Sequence, residues 1–167
     1  MRRILIVGNS GAGKSTLARR LGEKLGLPVA HLDVLYWKPG WTPGDEAEFV
    51  AAVSETLSGP AWICDGDFAG TWAVRMPLAD TIVWIDQPRV VCLWRAIWRV
   101  VTWRGGGRPD MAEGCGEKLD LAFYRFIWTY DEKVRPRLEA ALATHGAHAR
   151  QVRLRSDWEI ADFLAEA

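Results

Sequence analysis

The stretch Ile4-Leu5-Ile6-Val7-Gly8-Asn9-Ser10-Gly11-Ala12-Gly13-Lys14-Ser15 sets the fold. Its first four residues are apolar and mostly β-branched, which predicts a short, fully buried strand. A glycine-rich turn follows, in the pattern G-x-x-x-x-G-K-S. Beyond it, Leu17, Leu21 and Leu25 recur at helical spacing until Gly26 and Pro28 stop the pattern. Strand, glycine turn and helix together form a cradle for phosphate. Small residues let the backbone wrap an anion, unpaired N–H groups point inward, and the helix N-terminus adds a favourable dipole. Lys14 supplies a point charge, and the Ser15 hydroxyl can ligate Mg²⁺. A plain glycine turn with a solvated lysine would lack this flanking pattern.

Further along the chain, strand-like runs alternate with helical ones. Val29–Leu32, Ala61–Cys64, Thr81–Ile85 and Gln151–Leu154 read as further strands. Thr42-Pro43 is expected to open a helix, with Thr as N-cap and with Asp45 and Glu46 at its positive end. Long helices are expected over about Val90–Trp103 and Glu117–Ala143, the second kinked or divided at Pro136. Ser156-Asp157-Trp158-Glu159 reads as a capping box for a terminal helix. Strands alternating with helices predict an α/β fold: one five-stranded parallel sheet between two helical layers. Ligands then bind at the carboxyl ends of the strands.

The chain has 167 residues, a length that fits one domain. Lys plus Arg and Asp plus Glu number 21 each, so no overall positive field favours nucleic acid or an anionic membrane. Arg2 and Arg3 precede too few apolar residues for a signal peptide, and no stretch is long enough to span a bilayer, so the expected location is cytoplasmic. Cys64, Cys92 and Cys115 are odd in number and widely spaced, which predicts free thiols. Of the ten tryptophans, Trp62, Trp84 and Trp158 are expected in the core.

Asp65 follows the third strand in Cys64-Asp65-Gly66-Asp67 and is the expected Mg²⁺ carboxylate, with Asp67 as the lesser candidate. Gly66 would allow close approach of a substrate; an ordinary Asp-Gly turn is the bland alternative. Arg95 and Arg99 lie four residues apart and so share a helix face, as nucleotide ligands or as a solvated stripe.

Together these features resemble adenylate kinase and its small-kinase relatives, P-loop enzymes. In that family a fourth strand ends in Asp, with Pro two residues later, as in Asp86-Gln87-Pro88. Two arginines follow nine and thirteen residues after the Asp, matching Arg95 and Arg99. The resemblance implies that the first stacks on the adenine of ATP and the second grips its phosphates. The nucleotide-binding set is then Gly8, Asn9, Ser10, Gly11, Ala12, Gly13, Lys14, Ser15 and Thr16 with Arg95 and Arg99, and the cofactors are ATP and Mg²⁺. The same resemblance implies an arginine-bearing lid over about 104–117, hinged at Gly105-Gly106-Gly107, with Arg104 and Arg108 closing on the transferring phosphoryl group. Arg125, Arg135 and Arg137 stay open as further members of that cluster. The segments His31–Trp41 and Asp110–Cys115 resemble, more specifically, bacterial DNA topology modulation proteins related to FlaR.

The acceptor side departs from adenylate kinase. No arginine lies between Arg20 and Arg75, and Ala69 stands where the family has an arginine four residues after the Asp. Asp33 resembles the shikimate kinase carboxylate that contacts the accepting hydroxyl, with a turn or helix-capping Asp as the alternative. Tyr36, Trp37, Trp41, Phe68 and Trp72 offer an acceptor wall or simply core, and Arg75 an anion contact or a surface ion pair. The expectation is a single kinase domain over 1–167, with an acceptor-binding helical segment at about 33–60. Lys14, Asp33, Arg99 and Arg108 are its expected catalytic residues; Asp33, Tyr36, Gly66, Phe68 and Arg75 are its expected substrate residues. The partner is a small-molecule phosphoryl acceptor, an alcohol in the first reading and a nucleoside monophosphate in the second. A nucleotide-binding regulator or NTPase acting with nucleic acid is the reading from another class.

Overall fold

A computed structural model describes residues 1–102, 110–112, 114–116 and 118–167. The lid expectations on Arg104, Gly105 to Gly107 and Arg108 lie outside the described residues.

Strand β1 (Arg3–Gly8) occupies the centre of the sheet. Around it run β2 (Val29–His31), β5 (Trp62–Asp65), β6 (Thr81–Ile85) and β7 (Arg150–Leu154), in the order β2-β5-β1-β6-β7. All four pairings are parallel. Successive side chains of a strand point to opposite faces, so β1 feeds two cores. Leu5 and Val7 join one, with Phe49 and Val53 of α3 (Glu46–Thr56) and Leu138 and Leu142 of α7 (Arg135–His145). Ile4 and Ile6 join the other, with Leu17 and Leu21 of α1 (Lys14–Leu25), Ala96 of α5 (Arg89–Thr102), Ile127 of α6 (Leu121–Lys133) and Phe163 of α8 (Asp157–Glu166). Each large side chain buried this way contributes about 1.5–3 kcal/mol. The expected three-layer α/β fold with a five-stranded parallel sheet is therefore present.

Several local expectations are corrected. Thr42-Pro43 opens no helix: it forms β4, antiparallel to β3 (Trp37–Lys38), directly after the short helix α2 (Leu32–Tyr36). The hairpin turns at Gly40 and Trp41, both at positive φ, and the Gly44 amide closes it on the Tyr36 carbonyl at 2.8 Å. Asp45 caps α3 instead, its Oδ1 accepting from the Ala47 and Glu48 amides at 2.9 and 3.0 Å. Pro136 divides the second long helical pattern into α6 and α7. Ser156 caps α8, but Glu159 reaches back to the Arg155 amide, one residue before the cap. Trp62 and Trp84 are core residues, whereas Trp158 is 73% exposed on the first turn of α8. Among the described residues, no helix is long and apolar enough to cross a membrane.

Candidate functional site

The loop between β1 and α1 has the glycines its path requires. Gly8, Gly11 and Gly13 all take positive φ, where side chains are strained. A Cβ on Gly8 would meet the Ile85 carbonyl oxygen at 2.2 Å, and one on Gly11 the Cys92 carbonyl oxygen at the same distance. Asn9 Nδ2 donates to the Ile127 carbonyl at 2.9 Å and anchors the loop on α6. Lys14 Nζ donates to the Asn9 carbonyl at 2.9 Å. Gly8, Asn9 and Ala12 thus form the buried base of the loop, while Ser10, Gly11, Gly13, Lys14, Ser15 and Thr16 line a cavity of about 810 Å³.

Asp33, Gly66, Phe68, Arg95 and Arg99 open on the same cavity, as do Trp37 and Trp41. The phosphate loop and the expected acceptor carboxylate therefore share one space. Arg95 Nη2 donates to both carboxylate oxygens of Asp157 at 2.6 and 2.7 Å, and Nη1 to the Ala12 carbonyl at 3.5 Å, which sets the guanidinium beside the loop. Arg99 lies 6.0 Å above the Phe123 ring.

Other expected site residues have different places. Tyr36 does not line the cavity; it is enclosed by Trp37, Phe49 and Phe68 at ring-centroid distances of 4.9 to 5.0 Å. Trp72 is core. Arg75 neither reaches the cavity nor forms a surface ion pair. It is fully buried, and its guanidinium donates to Thr71 Oγ1 at 2.8 Å, to the Gly66 carbonyl at 3.0 Å and to the Asp67 carbonyl at 2.7 Å. Buried this way, Arg75 clamps the turn after β5 and is out of reach of a ligand anion.

The two carboxylates after the third strand also differ from expectation. Asp65 is the last residue of β5 and stands in register with His31, the last residue of β2. Their side chains meet at 2.5 Å between Nδ1 and Oδ1, and Asp65 does not line the cavity. Burial lowers the His31 pKa, but the bond and charge of Asp65, with the charges of Asp110 and Asp33, outweigh it and leave the pKa raised. Asp67 lines the cavity. Burial pushes its carboxyl pKa up, against Lys14, the Tyr130 hydroxyl, Arg75 and the Gly8 amide. Its Oδ1 is buried with no hydrogen-bond partner.

Some cavity residues carried no role in the sequence reading: His31, Arg19, Phe126 and Lys118. Of the three arginines left open, Arg137 lines the cavity, Arg135 pairs with Asp86 and Asp131, and Arg125 is exposed outside the lining. Cys115 is buried, and its thiol donates to the Lys38 carbonyl at 3.3 Å. All three cysteines are free.

No family model matches the chain, and no curated protein matches it in sequence. Solved structures do share its fold. A shikimate kinase from Acinetobacter baumannii in complex with shikimate aligns over 99% of this chain and 90% of its own, at 17% identity and TM-score 0.59. A shikimate kinase from Bacteroides thetaiotaomicron covers 99% and 95% at 21% identity and TM-score 0.54. A gluconokinase from Sinorhizobium meliloti 1021 covers 99% and 88% at 18% identity and TM-score 0.55. The chain thus has the fold of P-loop small-molecule kinases, and these likenesses lend no support to the narrower resemblance to DNA topology modulation proteins.

Proposed function

We propose that this protein is a phosphotransferase that moves the γ-phosphoryl group of ATP to a hydroxyl of a small molecule. The observation that carries this reading is that Lys14 and Asp33 open on one cavity whose wall includes Trp37 and Phe68. Its volume of about 810 Å³ is in the range of small-ligand sites.

The chemistry asks three things of the chain. The loop amides and Lys14 take up negative charge on the phosphates, most strongly as it shifts in the transition state. Asp33 accepts the hydrogen bond of the acceptor hydroxyl and takes its proton as the new oxygen–phosphorus bond forms and the bond to the leaving ADP breaks. Trp37 and Phe68 orient the acceptor frame and exclude water. Mg²⁺, when bound, would neutralise phosphate charge; the Ser15 hydroxyl and a carboxylate from the turn after β5 fit it.

A hydroxyl acceptor is favoured over a nucleoside monophosphate because burying a dianionic phosphate calls for paired donors, usually arginine forks. Arg75, the one arginine between Arg20 and Arg89, spends its donors on backbone carbonyls. The fold neighbours include kinases named for shikimate and gluconate, both hydroxylated acids. Arg137, at the start of α7 on the cavity wall, is the matching candidate for an acidic group on the acceptor.

The test is a screen for ATP-dependent phosphorylation across hydroxy acids, sugars, nucleosides and nucleotides, repeated with Asp33→Asn. Transfer to an alcohol that falls at least about a hundredfold in Asp33→Asn supports the reading. Ordinary kinase rates with AMP that survive Asp33→Asn would replace it with a nucleoside monophosphate kinase.

A further inference from the structure

We infer that Asp67, rather than Asp65, is the carboxylate that holds the divalent cation of the nucleotide, together with Ser15. This rests on the phosphotransferase reading and adds a residue to it. The geometry carries it in three steps.

First, Asp65 is already engaged. It is 3% exposed, still paired in the sheet, and bonded to His31 at 2.5 Å. Turning it toward the phosphate loop would break that bond and leave the half-buried His31 imidazole without it.

Second, Asp67 has the opposite situation. Gly66, at φ +130°, redirects the chain at the end of β5, and Asp67 then lines the cavity that Lys14 and Ser15 also line, within reach of the Lys14 charge. Among the described residues its Oδ1 is buried without a hydrogen-bond partner, a state that folded proteins seldom leave unfilled, although the Tyr130 hydroxyl and the Gly8 amide lie near the carboxyl. Its backbone is held firmly: Arg75 Nη2 donates to the Asp67 carbonyl at 2.7 Å and Nη1 to the Gly66 carbonyl at 3.0 Å. An acceptor oxygen with no donor, on a fixed backbone, is what a hard cation requires.

Third, charge decides what fills it. A carboxylate beside a phosphate-binding loop repels the phosphates it faces. The Lys14 charge would be shared between the carboxylate and the phosphates, and the Arg75 guanidinium is already bonded to backbone carbonyls. A divalent cation between Asp67 and the nucleotide turns that repulsion into attraction, and the Ser15 hydroxyl, adjacent to Lys14 on the same cavity wall, completes the protein side.

The experiment measures binding directly, by calorimetry with a non-hydrolysable ATP analogue, with EDTA or with graded Mg²⁺, for the wild type, Asp67→Asn and Asp65→Asn. Asp67→Asn should raise the Mg²⁺ concentration needed for tight binding by about tenfold or more. It should also bind the metal-free analogue at least as well as the wild type, because the repelling charge is gone. A merely structural Asp67 predicts weaker binding in both conditions and would overturn the assignment. So would an unchanged Mg²⁺ dependence in Asp67→Asn alongside a shifted one in Asp65→Asn. Failure of the wild type to bind the analogue even with Mg²⁺ would overturn the phosphotransferase reading itself.

Wild-type protein supplies a second measurement that needs no variant to fold. Mn²⁺ with ADP should broaden the ring resonances of Tyr130, which neighbours Asp67, more than those of His31, which is bonded to Asp65. The reverse order overturns the assignment.

Discussion

Replacing Arg75 with methionine tests whether this arginine is a clamp or an anion receptor. The side chain is fully buried and makes bonds of 2.7, 2.8 and 3.0 Å to the Asp67 carbonyl, Thr71 Oγ1 and the Gly66 carbonyl. A hydrogen bond from a charged donor contributes about 1.5–3 kcal/mol, so three would sum to about 4.5–9 kcal/mol. Two effects reduce the net loss. Methionine removes the cost of burying a guanidinium, several kcal/mol on its own. Gly66 and Asp67 also border the cavity, so water can reach part of the vacated space. The balance is a destabilisation of about 3 kcal/mol, and on a chain of this size that lowers Tm by roughly 10 °C. Arg75→Lys keeps the charge but loses the fork, so it should fall about midway. Urea titration followed by circular dichroism reads both. An Arg75→Met protein within about 0.5 kcal/mol of wild type, with only the acceptor KM raised, would refute the clamp and restore a ligand-binding arginine.

Lys14→Ala should keep the fold and lower kcat by about a hundredfold or more, because the Lys14 ammonium bonds the Asn9 carbonyl at 2.9 Å, lines the cavity and acts on phosphate charge; near-normal turnover in a folded variant would reject the assignment. The His31–Asp65 pair should make stability depend on pH. A His31 pKa raised above its ordinary 6.5 means that its contribution is complete below that value and is lost as pH rises through the raised one, so the stability gap between wild type and His31→Gln should be constant below the ordinary value and shrink as pH rises above it. A gap that widens with pH would show the wrong sign. Cys64 and Cys92, buried and each with the thiol pKa pushed up to about 11, should resist thiol reagents at neutral pH until the protein unfolds; rapid labelling of either in the native state would contradict their placement.

The residues that were legible from sequence are those whose local chemistry leaves one choice. The glycines of the phosphate loop and the run Thr81–Ile85, which matches β6 residue for residue, belong to this class. Misreadings fall where one residue of register changes the side to which a chain points. The third strand was expected to end at Cys64, but β5 extends to Asp65. That keeps Asp65 in the ladder opposite His31, and the turn at Gly66, at φ +130°, leaves the cavity-facing position to Asp67. Arg75 was misread for another reason. An arginine in an apolar stretch looks the same in sequence whether it meets a ligand or a ring of backbone carbonyls, and only the packing of 66–71 around it decides. Thr42-Pro43 carries a good helix-start signal, but both residues are paired with Trp37 and Lys38 in the hairpin, and the cap lies at Asp45.

The turn Gly66-Asp67-Phe68 joins stability to both halves of the proposed chemistry. A Cβ on Gly66 would lie 2.8 Å from the Leu32 Cβ, so only glycine lets β5 pass this close to the residue preceding Asp33. Asp67 faces the phosphate loop, while Phe68 faces the cavity and contacts Tyr36 at 4.9 Å between ring centres. Phe68 does so at φ +22°, a strained setting for a side-chain-bearing residue, costing about 1–3 kcal/mol. Thr71 holds that strain by donating its amide and hydroxyl to the Phe68 carbonyl at 2.9 and 2.8 Å, and Arg75 in turn bonds Thr71. One buried cation therefore fixes the acceptor wall and the carboxylate beside the phosphates together. Weakening that cation by Arg75→Lys should move nucleotide and acceptor parameters in the same variant, whereas a change at Trp37, on the wall but outside the turn, should move the acceptor parameters alone.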